Sequence, residues 1–98
     1  MLTKGNKLYV RIDKKVKGKR ATNQDYDDHM AFVEALAKER YFVGGNFSGV
    51  DAGMVLLSAE SLNEAQSIIS KDPIIERGLY QFELYEWNLI VLSDIIDT

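Results

Sequence analysis

Apolar and polar residues alternate along two segments of the chain, residues 8–13 near one end and residues 80–85 near the other. A period of two is typical of a half-buried β-strand. Short apolar segments at residues 41–43 and 54–57 have the composition of strands as well. The hydrophobic pattern therefore predicts four strands.

Two segments between these strands have helical spacing instead. Apolar residues recur at every third or fourth position across residues 24–40, and Thr22, Asn23 and Asp25 are each suited to cap the start of that helix. Ser61 and Glu64 fit a capping box at the start of a second helix. Proline disfavours helical backbone in the residue before it, so Asp72 is expected to end this second helix.

The order β-α-β-β-α-β predicts a ferredoxin-like α+β sandwich, in which both helices cover one face of a four-stranded antiparallel sheet. Six strand residues are expected to face the helices: Leu8, Val10, Ile12, Tyr80, Phe82 and Leu84. The opposite face is then expected to carry Tyr9, Arg11, Gln81, Glu83, Tyr85 and Trp87. Because that face mixes aromatic side chains with charges, we predict that it packs against a second copy as a homodimer. Scattered surface side chains are the alternative.

Composition limits the classes of partner. Residues 1–98 are predicted to form one domain with a short tail from about residue 89. A net charge of −3 and a third strand without aromatic residues argue against a nucleic-acid partner. No apolar segment approaches the ~20 residues needed to cross a membrane, and we expect no signal peptide, since the first residues lack an apolar core. The absence of cysteine suits a reducing compartment, so a cytoplasmic location is expected.

Four segments that are distant in the sequence are predicted to meet at one end of this fold. They are the basic loop 14–20, the start of the first helix with His29, the turn 46–51 and the corner at Asp72. A carboxylate is disfavoured at a helix C-terminus, so Asp72 is expected to have a partner, and His29 is the only histidine. A carboxylate that orients an imidazole commonly prepares a general acid or base. Taken singly, the two residues also fit a surface histidine and a plain helix stop.

The same reasoning predicts residues that contact a small molecule. The basic loop would attract an anion, and Arg20 is its last cation, although a solvated loop is the alternative. Asn46 lies in the neighbouring turn, and Tyr9 and Arg11 lie on the face expected to line a dimer cavity. One histidine, no cysteine and scattered carboxylates make no metal-site pattern, and we expect neither a metal nor another cofactor.

Six short motifs are distributed along the chain: His29 with the helix that follows, Phe42-Val43-Gly44-Gly45-Asn46, Ser61-Leu62-Asn63-Glu64-Ala65, Lys71-Asp72-Pro73-Ile74, Gly78-Leu79-Tyr80 and Glu86-Trp87. Together they resemble the YciI-like (YCII-related) domain family over roughly residues 8–88. The resemblance implies a dimeric α+β barrel of ferredoxin-like protomers, with an active site formed by His29 and Asp72. Similarly folded lyases and isomerases imply cofactor-free proton transfer on small, often anionic or aromatic compounds.

We therefore predict a small-molecule enzyme of the lyase or isomerase type, in which His29 transfers the proton and Asp72 orients it. The alternative is a non-catalytic ligand-binding or regulatory module on the same dimeric scaffold. An arginine that usually precedes the family's histidine is replaced here by acidic residues, which favours that alternative: Asp25, Asp27 and Asp28.

Overall fold

Four strands and three helices follow one another in the order β1-α1-β2-β3-α2-α3-β4 in a computed structural model, which describes residues 6–93. The elements are β1 Lys7–Lys15, α1 Asn23–Glu39, β2 Phe42–Asn46, β3 Ala52–Leu57, α2 Leu62–Ile69, α3 Pro73–Glu76 and β4 Tyr80–Asn88. The strands form one antiparallel sheet in the order β2-β3-β1-β4. This arrangement confirms the predicted ferredoxin-like α+β fold.

Both long helices begin at a hydroxyl cap, as the sequence indicates. The hydroxyl of Thr22 accepts from the N–H of Asp25 at 3.1 Å, and the Asp25 carboxylate accepts from the N–H of Thr22 at 2.8 Å. The hydroxyl of Ser61 accepts from the N–H of Glu64 at 3.1 Å. In a capping box, the Glu64 carboxylate would accept from the N–H of Ser61. In this structure it accepts from the N–H of Glu60 at 3.0 Å instead.

One prediction about the sheet is wrong, because β1 turns its other side to the helices. Tyr9 pairs with Leu57, and both belong to a core cluster that α2 completes. The other buried members of this cluster are Val55, Ala65 and Ile69. Arg11 pairs with Val55 and lies on the same side of β1 as Tyr9. The placement of Tyr9 and Arg11 on the face away from the helices is therefore incorrect.

The face away from the helices, which we call the open face, is more apolar than expected. The register of the four strands places eight large apolar or aromatic residues on it: Leu8, Val10, Ile12, Val43, Met54, Leu56, Tyr85 and Trp87. Strand β4 is oriented as predicted, with Phe82 and Leu84 packed against the core cluster. Alternation alone gives the period of a strand and not the side that a sheet buries, and β1 could present either set of side chains.

The corner after α2 also differs from the prediction. Helix α2 ends at Ile69, and Asp72 is the N-cap of the short helix α3, with its carboxylate accepting from the N–H of Ile74 at 3.1 Å. Pro73 occupies the first position of α3, where its missing N–H costs no hydrogen bond. Asp72 therefore lies at a helix start, which favours a carboxylate, rather than at a helix end.

Beyond β4, Leu89 is buried and its N–H donates to the carbonyl of Asn6 at 2.9 Å. The last five residues of the predicted tail, 94–98, lie outside the described residues. Within residues 6–93, no helix has both the length and the apolar character needed to cross a membrane.

Candidate active site

His29 of α1 and Asp72 at the start of α3 are in direct contact. The Nδ1 atom of His29 lies 2.8 Å from each carboxylate oxygen of Asp72. The Asp72 side chain is fully buried, whereas the His29 side chain is 21% exposed. The topology thus brings the two residues together as expected, with the carboxylate behind the imidazole and the imidazole toward solvent.

The charge state of Asp72 fixes the tautomer of His29. Burial raises the pKa of Asp72, but the hydrogen bond from His29 and the positive charge of Arg11 outweigh burial and leave this pKa below its ordinary value. An ionised carboxylate only accepts hydrogen bonds, so the Nδ1 atom of His29 must carry the hydrogen. Within residues 6–93, the Nε2 atom has no hydrogen-bond partner and is left as an acceptor.

Arg11 extends this contact into the sheet. Its side chain is fully buried, with Nη1 2.9 Å from the Oδ2 of Asp72 and Nε donating to the Oδ1 of Asp13 at 2.6 Å. The Nη2 atom has no hydrogen-bond partner within residues 6–93, and the contact of Nη1 with Asp72 is an ion pair without hydrogen-bond alignment. Burial raises the pKa of Asp13, and Arg11 only partly opposes that rise. We call these four connected residues, His29, Asp72, Arg11 and Asp13, the charged chain.

The two ends of the charged chain, His29 and Asp13, line a cleft of about 520 Å³ between α1 and the sheet. Its walls are mostly apolar and come from Met30, Val33, Phe42, Val50, Val55 and Ile74. Its other polar side chains are those of Tyr26, Asn46, Asp51 and Tyr80. Among residues 6–93, no lysine or arginine lines the cleft.

Glycine leaves room for this cleft. Gly44 lies on the helix side of β2, opposite Val55, and a Cβ atom there would come within 3.2 Å of the side chains of Phe42 and Val55. Gly45 and Gly53 also line the cleft. The glycine pair is a continuous part of β2, and Gly44 leaves space beside the side chains of Phe42 and Val55.

Two phenols contact each other at the cleft. The hydroxyls of Tyr26 and Tyr80 are 3.2 Å apart. Burial, followed by the contact with Tyr26, raises the pKa of Tyr80, so this residue is a neutral hydrogen-bonding group in the cleft.

The acidic stretch before His29 has a structural partner. The guanidinium of Arg77, directly after α3, bridges Asp25 and Asp28 with two contacts of 2.8 Å. This bridge connects the first turns of α1 to the end of α3. Since His29 is on α1 and Asp72 caps α3, it also holds the two sides of the His29–Asp72 contact together.

The predicted ligand contacts are distributed unevenly. Asn46 lines the cleft, whereas Arg20 is exposed and is not among the lining residues. Tyr9 is in the core, and Arg11 lies behind the cleft in the charged chain. Within residues 6–93, no three histidine, aspartate or glutamate side chains are grouped to hold a metal ion.

Sequence reasoning missed Asp13 and Tyr80 as cleft residues. Asp13 would have followed from the correct orientation of β1, because it lies on the same side of the strand as Arg11. Tyr80 is on the helix side of β4, as predicted, but it was assigned to the core rather than to a site.

Comparison with known proteins places these features in context. The family model described as the YCII-related domain matches residues 7–88. A curated relative, the uncharacterised protein YjpA of Bacillus subtilis (strain 168), is 34% identical over 62 residues, which are 62% of this chain and 73% of that protein. A similar fold is found in 5-chloro-2-hydroxyhydroquinone dehydrochlorinase (TftG) from Burkholderia phenoliruptrix AC1100, in complex with 2,5-dihydroxybenzoquinone. The TM-score is 0.70 and the identity 24%, covering 83% of this chain and 93% of the other.

Proposed function

Since the chain belongs to the YCII-related domain family, we propose that it is a small-molecule enzyme that transfers protons without a cofactor, with His29 as the general acid or base. The observation that carries this proposal is the imidazole at the cleft, whose Nδ1 bonds a buried carboxylate while Nε2 is left to accept. The similar fold of a dehydrochlorinase, a protein that acts on a small ring compound, supports the same class of function.

The geometry assigns distinct roles to the two residues. Asp72 is a positioning residue, because it is fully buried and reaches the cleft only through His29. It keeps the hydrogen on Nδ1 and would balance the positive charge when Nε2 takes a second proton. His29 would be the group that exchanges a proton with the substrate, at the apolar wall formed by Met30 and Val33. A positioned group of this kind accelerates proton transfer by about 10²–10⁴-fold.

Deuterium exchange tests the proposal without knowledge of the natural substrate. The protein would be incubated in D₂O with cyclohexanone and with 4-oxocyclohexane-1-carboxamide, and deuterium incorporation beside the carbonyl would be followed by NMR. We expect exchange above the buffer rate, and a loss of at least about 100-fold in His29→Gln. Lys38→Gln is the matched control, because it alters the last turn of the same helix and leaves exchange unchanged.

Two outcomes would count against an enzyme. Exchange that is equal in the wild-type protein and in His29→Gln would remove His29 from the mechanism. Binding of the ketones that persists in both His29→Gln and Asp72→Asn, without any exchange, would favour the non-catalytic binding module. The acidic residues bridged by Arg77 motivate that alternative, because they stand where the resemblance implies an arginine.

The open face supports a homodimer as the form in which this protein acts. Four of its large side chains are 38–49% exposed in the single chain: Val43, Met54, Tyr85 and Trp87. Val10, Ile12 and Leu56 lie between them and are only partly covered. These residues are contiguous across all four strands, unlike scattered surface side chains. A second copy placed about a twofold axis would cover one such face with another.

The oligomeric state would be measured by light scattering after size-exclusion chromatography. We expect a dimer for the wild-type protein and a monomer for Met54→Glu, which places a charge on the open face. Leu62→Glu is the control, because Leu62 is also an exposed apolar residue, at 41%, but lies in the first turn of α2. A monomeric wild-type protein, or a dimer that both variants retain, would contradict the proposal.

A further inference from the structure

The charged chain has two ends at the cleft, and only one of them has a part in the function proposed above. His29 and Asp13 both line the cleft, whereas Arg11 and Asp72 are fully buried behind them. Asp13 is connected to Arg11 by the 2.6 Å hydrogen bond described above and is 6% exposed. A buried carboxyl group that lines the same cleft as a histidine is a second candidate for proton transfer.

The charges of the chain limit how many protons its ends can hold. Arg11 is positive at any ordinary pH, and Asp72 is ionised, so the two cancel. With no proton on Asp13 or on the Nε2 atom of His29, the four residues of the charged chain together carry one negative charge. With a proton on both Asp13 and Nε2, they carry one positive charge. Since a net charge is costly in a largely buried site, the neutral form, with one proton shared between the two ends, is favoured.

We propose that Asp13 is a second catalytic residue, which donates a proton to the substrate when His29 accepts one from it, and accepts a proton when His29 donates one. We also propose that the substrate is an uncharged carbonyl compound. This inference rests on the proposed function of His29. It adds a residue, a direction of proton flow and a substrate class to that function.

The reaction that fits is a shift between a ketone and its enol. The Nε2 atom of His29 takes the proton from the carbon beside the carbonyl, and the electrons of the broken C–H bond form a C=C bond. The carbonyl oxygen takes the proton of Asp13 as its double bond opens. Return of the His29 proton to the same carbon, and of the enol proton to Asp13, exchanges that hydrogen with solvent. In a β,γ-unsaturated ketone, the enol is a dienol and can take the His29 proton at the γ carbon instead, while its remaining C=C bond moves into conjugation with the re-formed C=O bond, which completes an isomerisation. The charged chain is neutral before and after each pair of transfers, and no other reactant is consumed.

The lining of the cleft supports an uncharged substrate. It contains no lysine or arginine to bind a carboxylate or phosphate, and Asp51 adds a negative group at the turn. The phenols of Tyr26 and Tyr80 can bond a hydroxyl or carbonyl oxygen without neutralising a charge. An anion attracted by the basic loop would therefore be held outside the cleft, away from His29.

The charged and titratable groups that interact with Asp13 come from four elements. Arg11 lies on its own strand, Asp72 caps α3, His29 is on α1, and Tyr80 is on β4. Burial raises the pKa of Asp13 most, Arg11 lowers it, Asp72 raises it and His29 lowers it. The effect of His29 makes the proposal testable in the resting protein, because loss of the imidazole should then change the titration of Asp13.

NMR of ¹³C-labelled aspartate carboxyl groups would follow Asp13 through a pH titration. We expect the Asp13 midpoint to lie above 3.8 and to move higher in His29→Gln, because the imidazolium that favours the carboxylate is gone. Lys38→Gln removes a cation from the same helix at a distance and leaves the midpoint in place. An Asp13 midpoint that is equal in wild type and His29→Gln would overturn the coupling. Imidazole ¹⁵N shifts in Asp13→Asn give the reciprocal measurement, with His29 intact.

Deuterium exchange then tests the catalytic role and the substrate class. Asp13→Asn preserves the acceptor for Arg11 and lacks the proton, so we expect exchange into 4-oxocyclohexane-1-carboxamide to fall by at least about 100-fold and to lose one limb of its pH profile. The carboxamide is expected to exchange at least ten times faster than 4-oxocyclohexane-1-carboxylate, which has the same ring and one negative charge. Exchange that needs His29 but not Asp13, or that prefers the carboxylate, would overturn this inference alone. Exchange that needs neither would overturn the proposed function as well.

Discussion

Asp72→Asn is the substitution that tests the charged chain as a structural unit. Asparagine has nearly the same shape, and its remaining oxygen can still cap α3 at the N–H of Ile74. Its amide nitrogen then takes the place of Oδ2, which lies 2.9 Å from Arg11 Nη1, a donor, and 2.8 Å from His29 Nδ1, which must give up its hydrogen to accept there. The variant therefore sets the amide against the guanidinium, removes the group that holds the hydrogen on Nδ1 and, within residues 6–93, leaves the buried guanidinium with Asp13 as its single counterion.

The expected cost is large for a protein of this size. Removing one partner of a buried ion pair destabilises a protein by about 3–5 kcal/mol. Domains of roughly 100 residues unfold with about 5–15 kcal/mol in total. With a urea m-value of about 1.5 kcal/mol/M, the unfolding midpoint should fall by roughly 2–3 M.

The pH dependence has a definite sign. The pKa of Asp72 in the folded protein lies below its ordinary value of 3.8, so its stabilisation is fully present above that value. The stabilisation is lost as the pH falls through the depressed pKa, because both states then bind the proton. The gap in unfolding free energy between wild type and Asp72→Asn should therefore be constant near neutrality and close in strong acid.

Urea denaturation, followed by the fluorescence of the single Trp87 and by circular dichroism, measures this gap at a fixed protein concentration. Asp13→Asn is the matched control. The pKa of Asp13 is raised in the folded protein, so its ionised form is disfavoured there, and its replacement should cost less than that of Asp72. A loss below about 1 kcal/mol for Asp72→Asn at pH 7, or a larger loss for Asp13→Asn, would refute this account of the chain.

Three further substitutions test separate parts of the structure. Gly44→Val would fill the cleft, so binding of the cyclic ketones in an NMR titration should weaken at least tenfold; unchanged affinity would place the ligand elsewhere. Thr22→Ala removes the cap of α1 and should lower the free energy of unfolding by about 1 kcal/mol in a urea titration. A loss close to zero would contradict the importance of that cap. Arg77→Gln breaks the bridge to Asp25 and Asp28, and the backbone amides of the first turn of α1 should then exchange hydrogen faster. Unaltered exchange rates would argue against a stabilising role for this bridge.

Much of the fold could be predicted because its signals are local. The hydroxyl caps at Thr22 and Ser61, the alternation in β4 and the order of elements all depend on residues that are near one another in the sequence. The contact between His29 and Asp72 was also predictable, since the topology alone brings the start of α1 and the end of α2 to one end of the sheet.

The orientation of β1 could not be predicted in the same way, because it depends on a distant residue. Arg11 is tolerated on the helix side only because Asp72, sixty-one positions later, and Asp13 neutralise it. Without knowledge of that contact, Leu8, Val10 and Ile12 are the more plausible inner face. The same error concealed Asp13, and it underestimated how apolar the open face is.

The charged chain indicates which of its residues a related protein could lose and which it should keep. Arg11 and Asp72 support the fold whether or not any reaction occurs, whereas His29 is partly exposed and can be replaced at less cost. If the proposed proton transfer were lost in a related protein, the imidazole should therefore be replaced first, and the arginine and the Asp-Pro corner should be retained. In a related sequence, that corner by itself would mark inherited architecture, and the histidine beside it would mark a protein to which the proposed function can apply.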